Sequence, residues 1–491
     1  MSYLSRRGFL AGAAVLGGSG MLGVRFAGAA SHGAATQIAI GTRTIEVKGK
    51  PATVFGLLQP DGTHGLVMNA GERLRVRLDN EATEAALIHW HGLTPPNTQD
   101  GVPGVTQQAL PPGEGHDYDF VVTLPGTNWM HSHHLLQEQS LMAAPLIVRD
   151  PAEAGHDEQE VVIMLHDFTF QLPAEILSRL SKGMSHDGAP MDHSAMDHAA
   201  MGHDMSTMDM SQMDMGGGSM AGMDLNDVTY DAFLANDRTL DDPEVVRVEK
   251  GQRVRLRIIN GAASTNFMLD LGPLSGSLTD VDGRPIVPVM GSRFPLAVAQ
   301  RADVRLTLPA EEGAWPILFQ REGDTALTGV VLATKGGSLA KVADQAHHPI
   351  GAIDREASMR YEAAQPLAER PVDRALDVDL TGSMMTYRWG IQERAGMAHH
   401  AHLMVAEGER VELTLTNRTG MSHPMHLHGH HFQIVAVNGK RVNGAVRDTE
   451  LVPVGGSVTL AFDAGNPGNW MFHCHNLYHM QSGMMAQVRY L

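Results

Sequence analysis

His473-Cys474-His475-Asn476-Leu477-Tyr478-His479, with Met484 five residues beyond, contains the single cysteine of the chain. One soft thiolate, imidazoles and a distant thioether make the ligand set of a trigonal copper site with a weak axial sulfur. On a β-strand successive side chains face opposite ways, so Cys474 faces one side while His473 and His475 share the other. The backbone at 473–475 would then join two metal sites. A free cysteine is more commonly a small core residue, but the potential ligands crowded around this one argue for metal.

The segment belongs to the last of three related units. Gly71-Glu-Arg-Leu-Arg-Val-Arg-Leu-Asp-Asn80, Gly251-Gln-Arg-Val-Arg-Leu-Arg-Ile-Ile-Asn260 and Gly408-Glu-Arg-Val-Glu-Leu-Thr-Leu-Thr-Asn417 share a glycine start, an alternating strand and an asparagine end. Three β domains are expected, at residues 36–155, 156–340 and 341–491. Nine and eleven residues after the closing asparagine stand His89 and His91 in the first copy, His426 and His428 in the third, and Leu269 and Leu271 in the second. A later tryptophan landmark repeats the pattern. Trp129 leads to His131 and His133, and Trp470 leads to His473 and His475, whereas Trp315 leads to Leu318 and Gln320. The first and third domains are thus expected to bind metal and the second to act as a spacer.

Each histidine pair is spaced i, i+2 and presents both imidazoles on one strand face. The eight histidines suit a multi-metal cluster between the first and third domains. His423 precedes His426 by an odd number and falls on the face of Cys474, so His423, Cys474 and His479, with Met484 as axial ligand, form a separate trigonal set. Its counterparts in the other copies are Ala86 and Asn266, which leaves the mononuclear site to the third domain.

His-Trp-His-Gly, His-Ser-His, His-Pro-Met-His-Leu-His-Gly and His-Cys-His-x3-His-x4-Met together resemble the copper signatures of the multicopper oxidases. The resemblance spans the chain beyond its first 30 or so residues and implies an all-β fold of three cupredoxin-like Greek-key sandwiches holding four copper ions. It implies type 1 ligands His423, Cys474, His479 and Met484. It implies type 2 ligands His89 and His426, and type 3 ligands His91, His131, His133, His428, His473 and His475. The implied chemistry gathers single electrons at the type 1 site, passes them through Cys474 and reduces dioxygen to water at the cluster. Asp100, in Thr-Gln-Asp-Gly, matches the family acid near the cluster, against an Asp-Gly turn as the plain alternative. Some relatives carry a second acid immediately after the histidine equivalent to His479; here Met480 stands there, and a thioether carries no proton to relay on that side.

Composition narrows the setting. The 491 residues carry a formal charge of -18, which disfavours nucleic acid and anionic lipid as partners. Ser5-Arg6-Arg7-Gly8-Phe9-Leu10, an apolar Gly/Ala-rich stretch and Ala27-Gly28-Ala29 read as a twin-arginine export signal over residues 1–30. The expectation is a periplasmic protein delivered by the Tat machinery, without a stable membrane anchor.

Residues 184–223 hold 11 of the 30 methionines and four histidines. Met184, His186, Met191, His193, Met196, His198, Met201 and His203 form repeated Met-x-His units. The stretch is too polar to build a core, and thioethers select Cu(I), so these residues are a candidate cuprous substrate site. Met421 matches a methionine tied to cuprous oxidation in some relatives, though the aspartate those carry two residues earlier is Thr419. Met397, His399, His400, His402 and Met404 form a second soft cluster. The leading expectation is an oxidase coupling Cu(I) to Cu(II) with reduction of dioxygen. The alternatives are a laccase acting on phenols or aromatic amines, a copper-sequestering protein without catalysis, and a scaffold that has lost its coppers.

Overall fold

The computed structural model describes residues 35–182, 225–353, 361–394 and 402–491. The export-signal stretch, the Met/His-rich segment, and Met397, His399 and His400 of the second soft cluster lie outside the described residues. Among the described residues the chain is almost entirely strand, arranged as three pairs of packed sheets.

The first sandwich is built from β1 (Thr36–Val47), β2 (Lys50–Leu58), β3 (Leu66–Asn69), β4 (Arg73–Asn80), β5 (Ile88–His91), β6 (Gly115–Val121), β7 (Gly126–Ser132) and β8 (Ala143–Arg149). Its sheets run β2-β1-β4-β6 and β3-β8-β7-β5. The second comprises β9 (Gln159–Phe168), β10 (Ala232–Ala235), β11 (Val245–Arg247), β12 (Arg253–Asn260), β13 (Phe267–Asp270), β14 (Gly276–Val281), β15 (Arg284–Gly291), β16 (Arg293–Leu296), β17 (Arg301–Thr307), β18 (Ala314–Arg321) and β19 (Leu327–Ala333). These pair as β10-β9-β12-β17-β14-β15 and β11-β19-β18-β13-β16. A helix, α1 (Pro173–Ser181), follows β9.

The third sandwich begins with β20 (Arg374–Ser383) and β21 (Arg388–Glu393) and continues with β22 (His402–Val405), β23 (Arg410–Asn417), β24 (His423–Leu427) and β25 (Phe432–Val437). It is completed by β26 (Lys440–Arg441), β27 (Val446–Arg447), β28 (Thr449–Val452), β29 (Ser457–Asp463), β30 (Asn469–Cys474) and β31 (Met485–Tyr490), with the short helix α2 (Leu477–Gln481) between the last two. The sheets run β21-β20-β23-β29-β25-β26 and β22-β31-β30-β24-β28. Ahead of β20, Gln345, Ile350 and Ala363 form single bridges to Ala326, Glu322 and Ile286 of the second sandwich.

The three repeated segments fold as the equivalent strands β4, β12 and β23, each entered by a glycine with positive φ: Gly71 at 85°, Gly251 at 68° and Gly408 at 85°. Their closing asparagines do one job three times. Asn80, Asn260 and Asn417 are buried, and each side-chain oxygen accepts the backbone N–H two residues on, from Ala82, Ala262 and Thr419. Each side-chain amide donates to two carbonyls, at Glu84 and Leu110, Thr265 and Leu296, and Met421 and Val452. Such an Asx turn satisfies backbone groups that the strand end would otherwise strand in the core. The chain therefore leaves each strand in the same direction, toward the position where the first and third copies carry His-x-His.

Gly101 follows Asp100 at φ 84°, and a Cβ there would overlap the carbonyl of Ile88, the residue before His89. Gly71 has the same φ but open space around it. Gly71→Ala should therefore cost about 1 kcal/mol, from left-handed backbone strain alone. Gly101→Ala adds a backbone clash and should cost on the order of 3 kcal/mol. Thermal unfolding of the two variants in parallel checks this, with the larger drop expected for Gly101→Ala.

Candidate metal centre

Strand register brings the histidine pairs together. His89 lies opposite His131 across β5 and β7, and His426 lies opposite His473 across β24 and β30. His133, His428 and His475 stand just past the ends of β7, β24 and β30. All eight imidazoles are gathered between the first and third sandwiches. His428 Nε2 and His473 Nε2 are 3.0 Å apart, and His131 Nε2 and His475 Nε2 are 3.4 Å apart. The rings of His91 and His426 stack at 3.8 Å between centroids, and those of His89 and His428 also lie 3.8 Å apart. Ligand atoms within 4.8 Å of one another group as His89, His91 and His131, as His89, His426 and His428, and as His133, His428 and His473.

Most of these rings are fixed by a bond on the nitrogen remote from the group. His89 Nδ1 is held by the Asp100 carbonyl at 2.9 Å, His426 Nδ1 by the Asp448 carbonyl at 2.9 Å and His473 Nδ1 by the Cys474 carbonyl at 2.9 Å. Carboxylates hold three more. Asp100 Oδ2 lies 2.9 Å from His428 Nδ1, Glu138 Oε2 lies 3.0 Å from His131 Nδ1, and Asp448 Oδ1 lies 3.0 Å from His91 Nε2. His91 is thus turned end for end relative to His89 and His426, and its Nδ1 is its free nitrogen.

The free nitrogens provide the test of fit for a metal. His89 Nε2, His91 Nδ1, His133 Nε2 and His426 Nε2 are buried with no hydrogen-bond partner. Each such atom costs about 1–3 kcal/mol when left unsatisfied. Burial, reinforced by neighbouring imidazoles, pulls His131, His133, His428 and His475 well below the ordinary histidine pKa, and lowers His473 to about 3. Neutral imidazoles with unpartnered lone pairs, oriented from behind, are what metal coordination requires.

On the opposite face of β30 stands a second group. Met425 pairs with Cys474 across β24 and β30, and His423, two residues before Met425, falls on the same face. Cys474 Sγ lies 3.6 Å from His423 Nδ1 and 3.7 Å from His479 Nδ1, and the two nitrogens are 3.2 Å apart. His479 is delivered by α2, whose N-cap residue Asn476 accepts the backbone N–H of Tyr478 and His479. Met484 is buried in the same core as Cys474, and its carbonyl accepts the Cys474 N–H at 3.0 Å. Burial pushes the Cys474 thiol up from its ordinary value, so in this apolar pocket the thiolate needs a cation to replace its proton.

Sequence reading missed several residues. The side chain of Asp227, just after the Met/His-rich segment, is fully buried and places Oδ2 2.8 Å from His479 Nε2; its second neighbour is the hydroxyl of Tyr387. Thr419 Oγ1 lies 2.7 Å from His423 Nε2, so the residue standing where an aspartate was expected supports this ligand directly. Glu138 is buried against His131, lies 3.6 Å from His475 Nδ1 and is held well above the ordinary carboxylate pKa by burial, with Asp167 adding to the effect. Met480 packs in an apolar cluster with Ala263 and Leu477. Met421 packs at the edge of the core that holds Cys474.

The second sandwich is more than a spacer. Arg301 at the start of β17 is completely buried and makes two bonds to Asp448, at 2.7 and 2.5 Å, while its Nε donates to the Thr127 carbonyl of the first sandwich at 3.1 Å. Burial works against ionisation of Asp448, but Arg301 and His91 outweigh it and hold the carboxyl well below its usual range. None of Arg301, Asp448, Glu138 or Asp227 lies in a motif with fixed spacing. Only Glu138, five residues after His133, stands close in sequence to a recognised histidine.

Protonation sets a pH limit. The folded chain keeps His473 neutral down to about 3, and His64, His166 and His431 down to about 4, all primarily by burial. Unfolded histidines bind protons below about 6.5, so the unfolded state gains protons first and stability falls as pH drops from about 6.5 toward 4. The metal-free protein should show a nearly flat melting temperature from pH 7 to 8 and a steep decline over that acidic window. Melting curves across pH check this.

Comparison with known proteins agrees with the geometry. Three family models, each described as multicopper oxidase, match residues 50–153, 160–337 and 369–491. The chain is 31% identical over 432 residues to the multicopper oxidase MmcO of Mycobacterium tuberculosis, covering 86% of this chain and 80% of that one. It is 26% identical over 610 residues to copper resistance protein A of Escherichia coli, covering 99% of each. The fold matches the crystal structure of a laccase from Botrytis aclada with a TM-score of 0.70 at 23% identity, over 92% of this chain and 86% of that chain. With its three matched segments, its three cupredoxin-like sandwiches and its two buried ligand groups on opposite faces of β30, the chain belongs to the multicopper oxidases, copper-dependent oxidoreductases.

Proposed function

We propose that this protein is a periplasmic cuprous oxidase with four coppers, one held by His423, Cys474, His479 and Met484 and three by the eight paired histidines. His89 and His426 hold the type 2 ion. His91, His131 and His475 hold one type 3 ion, and His133, His428 and His473 the other. Support for this division comes from the close His131–His475 and His428–His473 contacts and from the grouping of His133 with His428 and His473. When bound, the coppers supply one-electron acceptance at the Cys474 site and reduction of dioxygen to water at the cluster. The chain supplies the link: Cys474 and its neighbours His473 and His475 connect the two sites through a short run of backbone. Asp100 orients His89 through its carbonyl and His428 through its carboxylate, and so is placed to hold a proton beside the cluster.

One observation carries the choice of Cu(I) as substrate. Both flanks of the Met/His-rich segment are anchored in the core that contains Cys474: Ile176 and Leu180 of α1 before it, and Val228 and Tyr230 after it. The described residues on either side of the segment that best suits a cuprous ion thus pack into the same core as Cys474 and Met484. Asp227, just before Val228, places its carboxylate 2.8 Å from the outer nitrogen of His479. A carboxylate at the edge of the electron-accepting ligand suits a cation better than a neutral phenol. The thioethers and imidazoles of Met184, His186, Met191, His193, Met196, His198, Met201 and His203, with Met421, would deliver the ion.

Removal of residues 184–223 should lower kcat/KM for Cu(I) at least tenfold and leave phenol oxidation unchanged or raised, measured by steady-state kinetics with both reductants on one preparation. Equal loss of both would contradict the assignment of the segment to substrate. Cys474→Ser should abolish the visible charge-transfer band and oxygen consumption while the eight histidines still retain copper. Oxygen consumption no higher in the wild type than in Cys474→Ser would instead identify a copper store.

A further inference from the structure

A separate group of soft ligands, none of them among the proposed copper ligands, lies at the junction of the first and second sandwiches. A cavity of about 210 Å³ is lined by His64, Pro145, Val162, Met164, His166, Asn236 and Asp237. Met164 and His166 are spaced i, i+2 on β9 and so share one face. Both are buried, and both reach the same small patch beside Gly261. A Cβ on Gly261 would meet Met164 Cε at 2.7 Å and His166 Cε1 at 3.0 Å, so the thioether end and the imidazole edge lie together there. His64 enters from the first sandwich, just beyond β2, where Leu58 bridges to it.

The hydrogen bonds leave these rings available. His166 Nδ1 donates to the Gly261 carbonyl at 2.9 Å, which puts its lone pair on Nε2. His64 Nε2 is buried and has no partner. A buried polar atom of this kind needs an explanation, and a cavity holding a second imidazole and a thioether supplies one. Burial holds both histidines near 4, so both are neutral and able to ligate at neutral pH.

Charge selects the ion. Asp237 is the carboxylate on the cavity wall, and Arg43 of the first sandwich is bound to it at 2.5 and 2.9 Å. The pair cancels, leaving a nearly neutral pocket of two imidazoles and one thioether. A divalent ion would find no net negative charge there, whereas a soft monovalent ion is matched in both charge and ligand type. We infer that His64, Met164 and His166 form an additional binding site for a soft monovalent metal ion of the Cu(I) class, joining the first and second sandwiches independently of the catalytic coppers.

Silver(I), soft, monovalent and inert to oxidation, is the probe, added to the full-length copper-loaded oxidised protein. Silver bound to the Met/His-rich segment is common to all variants and cancels in the comparison. Native mass spectrometry should count one more Ag(I) on the wild type than on His64→Gln or on the volume-conserving Met164→Leu. Silver should also raise the melting temperature of the wild type more than that of either variant, because the ion joins two sandwiches. Crystals soaked in Ag(I) should show anomalous density in the cavity. Equal silver counts across wild type and both variants, or an empty cavity at saturating silver, would overturn the inference. Preferential uptake of Zn(II) at the same residues would overturn the assignment to a monovalent ion. The silver-free melting curves of the two variants separate loss of the ion from loss of the fold.

Discussion

Asp448 is the residue on which the geometry of the histidine cluster depends. Its carboxylate touches His91 of the first sandwich and Arg301 of the second, while its own carbonyl holds His426 of the third. The three sandwiches therefore meet at one buried residue. A buried ion pair is a weak source of net stability, because desolvation offsets most of the attraction, but breaking it is expensive. Its effect here is positional: it fixes which nitrogen His91 turns toward the other imidazoles and ties the second sandwich, which lacks paired histidines, to the cluster.

The second controlling feature is the two-residue alternation of a strand. Register places Met425 against Cys474 and His426 against His473, so neighbouring side chains of β30 serve two different sites without any special backbone geometry. Each group is then completed from elsewhere: the one around Cys474 by α2 and the chain leading to Met484, and the histidine cluster by β5 and β7 of the first sandwich. The sites are close because they share a strand, and they are distinct because its faces are opposed.

The features legible in the sequence were those with a period or a fixed spacing. Three Gly-to-Asn strands announced three sandwiches, and the His-x-His pairs at repeat-equivalent positions announced a cluster, because strand parity converts spacing directly into a shared face. Asp448, Arg301, Glu138 and Asp227 were not legible. Each acts alone and across sandwiches: Arg301 reaches Asp448 over 147 positions, and no local pattern encodes such a contact. The second sandwich was read as a spacer for this reason. Thr419 shows the same limit at short range, because a hydroxyl in place of an expected carboxylate still bonds His423, and residue identity alone did not reveal that role.

The most direct test of this account is the metal content and electron paramagnetic resonance spectrum of Asp448→Asn, loaded with copper under the conditions used for the wild type. The substitution keeps the shape of the side chain but removes the charge that balances Arg301. The account predicts an intact type 1 signal and blue colour, reporting a folded third sandwich, together with loss of cluster copper and of oxygen reduction. Four coppers per chain and wild-type oxygen reduction would contradict it.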